Sequence, residues 1–84
     1  MKQIKYFSAQ WCGPCRLFKP IMQELQREGL NIQFLDADND LNEAQLYGIR
    51  SVPTCILLEN GEEIDRWSGA VSKLEVKRRY TGSI

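Results

Sequence analysis

The apolar residues change period several times along the chain. Gln3 to Phe7 is a short run of strand formers in which Ile4, Tyr6 and Phe7 are apolar. After Cys12, Leu17, Phe18, Ile21, Met22 and Leu25 recur at helical spacing, and Gly29 is placed to end that helix as its C′ residue. Pro20 lies inside it, where the lost backbone donor should kink the axis. Ile32 to Asp36 reads as a second, mostly buried strand. Asp38, Asn39 and Asp40 are N-cap candidates for a short helix carrying Leu41, Ala44 and Tyr47 and closed by Gly48. Thr54 to Glu59 is the most apolar strand. Asn60-Gly61 predicts a type I′ turn, with positive φ at both positions, into a return strand over Ile64 to Trp67. Ser72 and Glu75 form a capping box, with Val71 stapled to Val76, for a last helix reaching about Tyr80 and fraying over Thr81 to Ile84.

The order is βαβαββα, an α/β class. Two strands joined by a helix are expected to be parallel with a right-handed crossover, and the last two form an antiparallel hairpin. A mixed four-stranded sheet flanked by three helices follows, with its strand order left open. The 84 residues make one domain, 1–84, with one modest core.

Charge and cysteine usage narrow the chemistry. Eleven basic and eleven acidic residues give zero net charge, which lacks the electrostatic footprint of a general nucleic-acid binder. Met1-Lys2 runs straight into a strand without the apolar region of a signal peptide, and no stretch approaches the ~20 residues of a membrane span. The expected compartment is the cytoplasm. Three cysteines and no histidine argue against a secreted disulfide framework, a c-type haem, and an all-cysteine zinc or cubane iron–sulfur site, each of which needs more ligands. Asp36, Asp38 and Asp40 lack the glycine and closing glutamate of a calcium loop.

The chemistry-bearing segment is Trp11-Cys12-Gly13-Pro14-Cys15-Arg16. Residues three apart on a helix share a face at roughly 5–6 Å between Cβ atoms, and a modest adjustment brings them to the ~3.5–4.5 Å of a disulfide. Such a pair can cycle between dithiol and disulfide with little backbone movement. Cys12 falls at the helix N-terminus, where free N–H groups and a dipole worth ~0.3–1 kcal/mol favour a thiolate. It is the expected nucleophile. Cys15, a turn deeper, is expected to resolve the mixed disulfide. Gly13 allows close backbone approach, and Pro14 is tolerated in a first turn. The bland alternative is a helix cap with two buried thiols.

These residues, with Pro20, Tyr47-Gly48-Ile49-Arg50-Ser51-Val52-Pro53-Thr54, Asn60-Gly61 and Gly69-Ala70 at matching intervals, make the chain resemble the thioredoxins from Phe7 onward. The resemblance implies a thioredoxin-like fold in a minimal, glutaredoxin-sized form that starts at the strand feeding the active site. It implies a disulfide reductase with no bound cofactor other than the redox-active Cys12–Cys15 pair. Pro53 should be cis and packed on the cysteines. Val52 should offer backbone hydrogen bonds to an extended client segment, with Trp11, Gly69 and Ala70 flanking that groove. The implied partners are disulfide-containing client proteins, a thioredoxin reductase (an NADPH-dependent flavoprotein) and ribonucleotide reductase as one client. Neither nucleic acid nor membrane is implied, and a monomer is expected.

The chain also departs from the pattern. Family members commonly carry a buried Asp where Tyr6 stands here, often near a Lys where Phe34 stands. Losing both avoids an unpaired buried charge, but it removes the usual acceptor for the Cys15 proton. Water or the Cys12 thiolate would take that role, with Tyr6 contributing weakly at most. Cys55 reads as a small core residue, or alternatively as a regulatory thiol. Lys73, Lys77, Arg78 and Arg79 read as a solvated face, or alternatively as a dock for an acidic partner. Two other functions compete: a glutathione-dependent glutaredoxin, disfavoured by Gly-Pro between the cysteines, and a redox-silent binding subunit of a larger assembly.

Overall fold

The computed structural model describes residues 1–82. The elements are β1 (Lys2–Ser8), α1 (Gly13–Arg27), β2 (Ile32–Asp36), α2 (Leu41–Leu46), β3 (Thr54–Glu59), β4 (Glu62–Ser68) and α3 (Lys73–Thr81). The sheet order is β2-β1-β3-β4. β1 and β2 are parallel, with Tyr6 opposite Phe34 and Ser8 opposite Asp36. β3 runs antiparallel to both β1 and β4.

The two central strands are covered on both faces, and β3 accordingly reads as a nearly unbroken apolar run, while β1 mixes buried Ile4, Tyr6 and Phe7 with polar Lys2, Gln3, Lys5 and Ser8. On one face Ile4, Tyr6, Cys55, Leu57 and Trp67 pack with Phe18, Met22 and Leu25 of α1 and Val76 of α3. On the other, Phe7, Leu35, Ile56 and Leu58 meet Ala44 of α2. Alternation along each strand divides the residues between these two layers.

The buried stripe of α1 is Cys15, Phe18, Met22 and Leu25, a three-four-three spacing. Leu17, expected on that face, is 78% exposed because it lies a full helical step to the side of the stripe. The helix runs through Pro20 and ends at Glu28 with Gly29 at φ +112°, as a C′ residue requires. Leu41 likewise faces solvent. Asp40 is the N-cap residue of α2 but makes no side-chain cap. Its Oδ2 instead accepts from the Asp36 N–H at 2.8 Å, tying the loop to the end of β2.

Asn60 (φ +53°) and Gly61 (φ +87°) both take the positive φ of a type I′ turn. The register shifts between Leu57 and Leu58, which leaves Ile64 exposed on the return strand. At α3 only half of the expected capping box forms. Ser72 Oγ accepts from the Glu75 N–H at 3.1 Å, but the Glu75 carboxylate turns forward to Arg78 and Arg79. Thr81 belongs to the helix rather than to a frayed end, and Gly82 caps it in the left-handed conformation. The fraying expected of Ser83 and Ile84 lies outside the described residues.

The cations of α3 are committed within the chain. Lys73 pairs with Glu24 and Glu28, Lys77 with Glu28, and Arg79 with Asp65 and Glu75. Three of these pairs join α3 to α1. Arg79 also lies 5.0 Å over the Trp67 ring. The basic run is thus tied to carboxylates of the same chain, as a solvated face would be.

Tyr6 is fully buried, edge-on to both Phe18 and Phe34, and its hydroxyl has no partner of ordinary hydrogen-bond geometry among the described residues. Deleting a buried unsatisfied hydroxyl removes a desolvation penalty. Urea denaturation should therefore find Tyr6→Phe neutral or stabilising by up to about 1 kcal/mol, whereas Phe18→Ala, on the same cluster, costs about 3–5 kcal/mol. A destabilisation above about 1 kcal/mol in Tyr6→Phe would mean that the hydroxyl is satisfied after all.

Candidate active site

The site forms where β1 ends and α1 begins, at the edge of the sheet to which the parallel strands deliver their C-terminal ends. Cys12 is the N-cap of α1, in extended backbone conformation, and its Sγ accepts from the Cys15 N–H at 3.2 Å. This is the place an N-cap oxygen usually takes. Cys12 and Cys15 are joined in a disulfide with Cα atoms 5.3 Å apart, inside the window such a bond allows. Both are buried to 3% exposure against Ala9 and Val52. Pro14 sits in the first turn, where its missing N–H leaves no partner unserved. Gly13 and Pro14 are exposed beside the sulfurs.

The second wall comes from the loop before β3. The Val52–Pro53 peptide bond is cis, and the Val52 carbonyl oxygen lies 3.6 Å from Cys12 Sγ. Thr54 Oγ1 donates to the Ser51 carbonyl at 2.7 Å, and the Gly69 N–H donates to the Pro53 carbonyl at 2.8 Å. The second bond ties the Gly69-Ala70 segment after β4 to the proline loop. Trp11 is 69% exposed at the rim, and its indole N–H donates to Asp38 Oδ2 at 2.8 Å. Trp11, Cys12, Cys15, Val52, Pro53 and Gly69, drawn from three separate stretches, are thus brought to one end of the sheet, with Ala70 exposed beside them.

The sequence and the overall fold are shared with known proteins. The thioredoxin family model matches residues 2–81.

The chain is a member of the thioredoxin family.

It is 43% identical over 74 residues to the thioredoxin of Buchnera aphidicola, a match covering 84% of this chain and 68% of that protein. It is 42% identical over 76 residues to the chloroplastic M-type thioredoxin of Pisum sativum, covering 87% of this chain but 44% of the pea protein. A solved mutant thioredoxin from Halobacterium salinarum superposes with a TM-score of 0.91 at 28% identity, over 98% of this chain and 74% of that one. The chain is accordingly a thiol–disulfide oxidoreductase of the thioredoxin type, with Cys12–Cys15 as its redox-active disulfide. Membership carries with it client proteins with disulfides and a reductase that recycles the pair. No cluster of candidate metal ligands occurs among the described residues, and no helix there is long and apolar enough to cross a membrane.

Two features of the site have no signal in the sequence. Asp38 reads there as an N-cap candidate or a poor calcium ligand, yet it holds the Trp11 indole. The Gly69–Pro53 bond continues the β3–β4 pairing past Thr54 and Ser68, and it depends on the register of that hairpin, which periodicity does not supply. Tyr6 and Phe34, the two departures noted in the sequence, meet as an edge-to-face aromatic pair with ring centroids 5.5 Å apart.

Burial pushes the Tyr6 hydroxyl up to about 12, with the Cys55 thiol adding to it and the Ser8 side chain opposing. A phenol held so high stays neutral near pH 7 and does not serve as a base. Cys55 is fully buried and unbonded, and desolvation pushes its thiol up to about 12 as well. Both groups are raised acids, so their protonated forms favour the fold. That contribution is intact below the unfolded-chain values of 9.0 and 10.0 and is lost as pH climbs toward about 12. Chemical denaturation of the oxidised protein should show stability falling from about pH 9 upward, less steeply in Cys55→Ala with Tyr6→Phe. An unchanged slope in that double variant would remove both groups as the cause.

Proposed function

We propose that this protein reduces disulfides of client proteins, with Cys12 as attacking thiolate and Cys15 as resolving thiol. The observation that carries this reading is the position of Cys12 Sγ as the cap of α1, 3.2 Å from the Cys15 N–H. A thiolate there receives a backbone donor and faces the positive end of the helix dipole, both of which favour the anion. Cys12 attacks one sulfur of the client disulfide, forming a mixed disulfide and releasing the other client sulfur as a thiolate. Cys15 then attacks Cys12 Sγ, closing the Cys12–Cys15 bond and freeing the second client thiolate.

The groove between Trp11, Val52, Pro53, Gly69 and Ala70 takes an extended client segment. The Val52 backbone is its hydrogen-bonding strip, in the manner of strand addition, and Gly13 and Pro14 keep the approach to Cys12 clear. The oxidised pair is returned to the dithiol by a thioredoxin reductase, an NADPH-dependent flavoprotein. Ribonucleotide reductase is one client that fits. The protein works as a monomer, in the cytoplasm.

Insulin reduction tests the reading. Turnover is expected with NADPH and thioredoxin reductase, and not with glutathione and its reductase alone. Cys12→Ser should abolish activity, and Cys15→Ser should accumulate a mixed disulfide through Cys12. Turnover supported by glutathione but not by thioredoxin reductase would make the protein a glutaredoxin in function. Undiminished activity in a Cys12→Ser, Cys15→Ser double variant would leave only a binding role.

A further inference from the structure

The resolving step needs a Cys15 thiolate, and the neighbouring pair of buried Tyr6 and partly buried Phe34 holds no base and no charge. What does border Cys15 is an open cleft of about 310 Å³, lined among others by Ser8, Arg16, Lys19, Phe34 and Asp36. Lys19 follows Cys15 by four residues on α1, so the two share a helix face, and helical side chains lean back toward the N-terminus. Lys19 and Cys15 accordingly line the same cleft. It makes no ion pair or hydrogen bond among the described residues, whereas Lys73, Lys77, Arg66, Arg78 and Arg79 are all committed to carboxylates.

We infer that Lys19 is a positioning residue for the second half-reaction: its unpaired charge, across the open cleft, stabilises the Cys15 thiolate that displaces the client from Cys12. The inference rests on the attacking and resolving roles proposed above. The charged groups facing Cys15 are Lys19 and Arg16 from α1 and Asp36 from β2. β1 contributes only the uncharged Ser8 to the cleft, with Tyr6 neutral behind it, and the proline loop contributes Val52. Arg16 is directed to the Gln10 carbonyl at 3.5 Å, and Asp36 Oδ1 is taken up by the N–H groups of Asp38 and Asn39. The balance at the cleft is one net positive charge, and Lys19 is its uncommitted part. The Cys15 proton passes to water in the cleft. The thiolate then forms the Cys12–Cys15 bond as the Cys12–client bond breaks, and the departing client thiolate takes a proton from water. The client disulfide is reduced and the pair oxidised, with no further reactant.

Stopped-flow mixing of the reduced protein with an aromatic disulfide that releases a coloured thiolate separates the two steps. One thiolate leaves when Cys12 attacks, and a second leaves when Cys15 displaces the mixed disulfide; Cys55, fully buried, does not contribute. Lys19→Gln removes the cation that favours the Cys15 anion; a loss of about tenfold in thiolate fraction is offset about threefold by greater nucleophilicity. The second phase should therefore slow about threefold at neutral pH, relative to the first, yet plateau faster than wild type at high pH, so that the two profiles cross. High salt should shrink the difference, and Lys19→Arg should keep the wild-type profile. A Lys19→Gln profile superimposable on that of the wild type overturns the inference. A wild type that releases only one thiolate per chain overturns instead the assignment of Cys12 and Cys15 on which it rests.

Discussion

The bond from the Cys15 N–H to Cys12 Sγ does two jobs with one donor. It satisfies one of the N–H groups that every helix leaves free at its start, and it places a sulfur where an anion is favoured. An oxygen-bearing residue would cap α1 at least as well. A cysteine there gives up nothing in local structure and gains a nucleophile. The i, i+3 spacing then puts the second sulfur within bonding reach on the same helix, so the redox change is confined to a single turn.

The rest of the fold holds that turn against a client-binding edge. β1 is central in the sheet and buried on both faces, so the point where it releases the chain is rigid. β3 lies beside it, and the residues just before β3 supply Val52 and the cis proline. β4 returns alongside β3 and delivers Gly69 to the Pro53 carbonyl. Three loops distant in sequence thus meet because three adjacent strands end together. The ion pairs between α1 and α3 lie on exposed side chains and contribute little individually. The apolar contacts beneath them, through Phe18, Met22 and Val76, do most of the holding.

Much of this was legible in the residues. β2 and β3 fall at the expected boundaries, because Ile32–Asp36 and Thr54–Glu59 are apolar runs bracketed by turn formers. Asn60-Gly61 announces its own turn. The cysteine pair and its helix start were readable from spacing, and the proline loop from the family resemblance. What was not legible depends on three-dimensional competition. Leu17 looks apolar at helical spacing, yet Phe18 takes the core position and Leu17 is left outside. Glu75 has a choice between the backbone N–H of a capping box and two arginines, and charge decides for the arginines. Asp38 and Lys19 carry no motif of their own. Their relevance comes from what lies across the cleft or the rim, and only the assembled sheet sets that.

The central claim is that the two sulfurs differ because only one of them caps the helix. Alkylation of the reduced protein as a function of pH, read by peptide mass spectrometry, tests it most directly. Cys12 should react first, with a midpoint clearly below the ~8.5 of a free cysteine, while Cys15 lags. Equal rates at both sulfurs, or a Cys12 midpoint at or above that of a free thiol, would contradict the account.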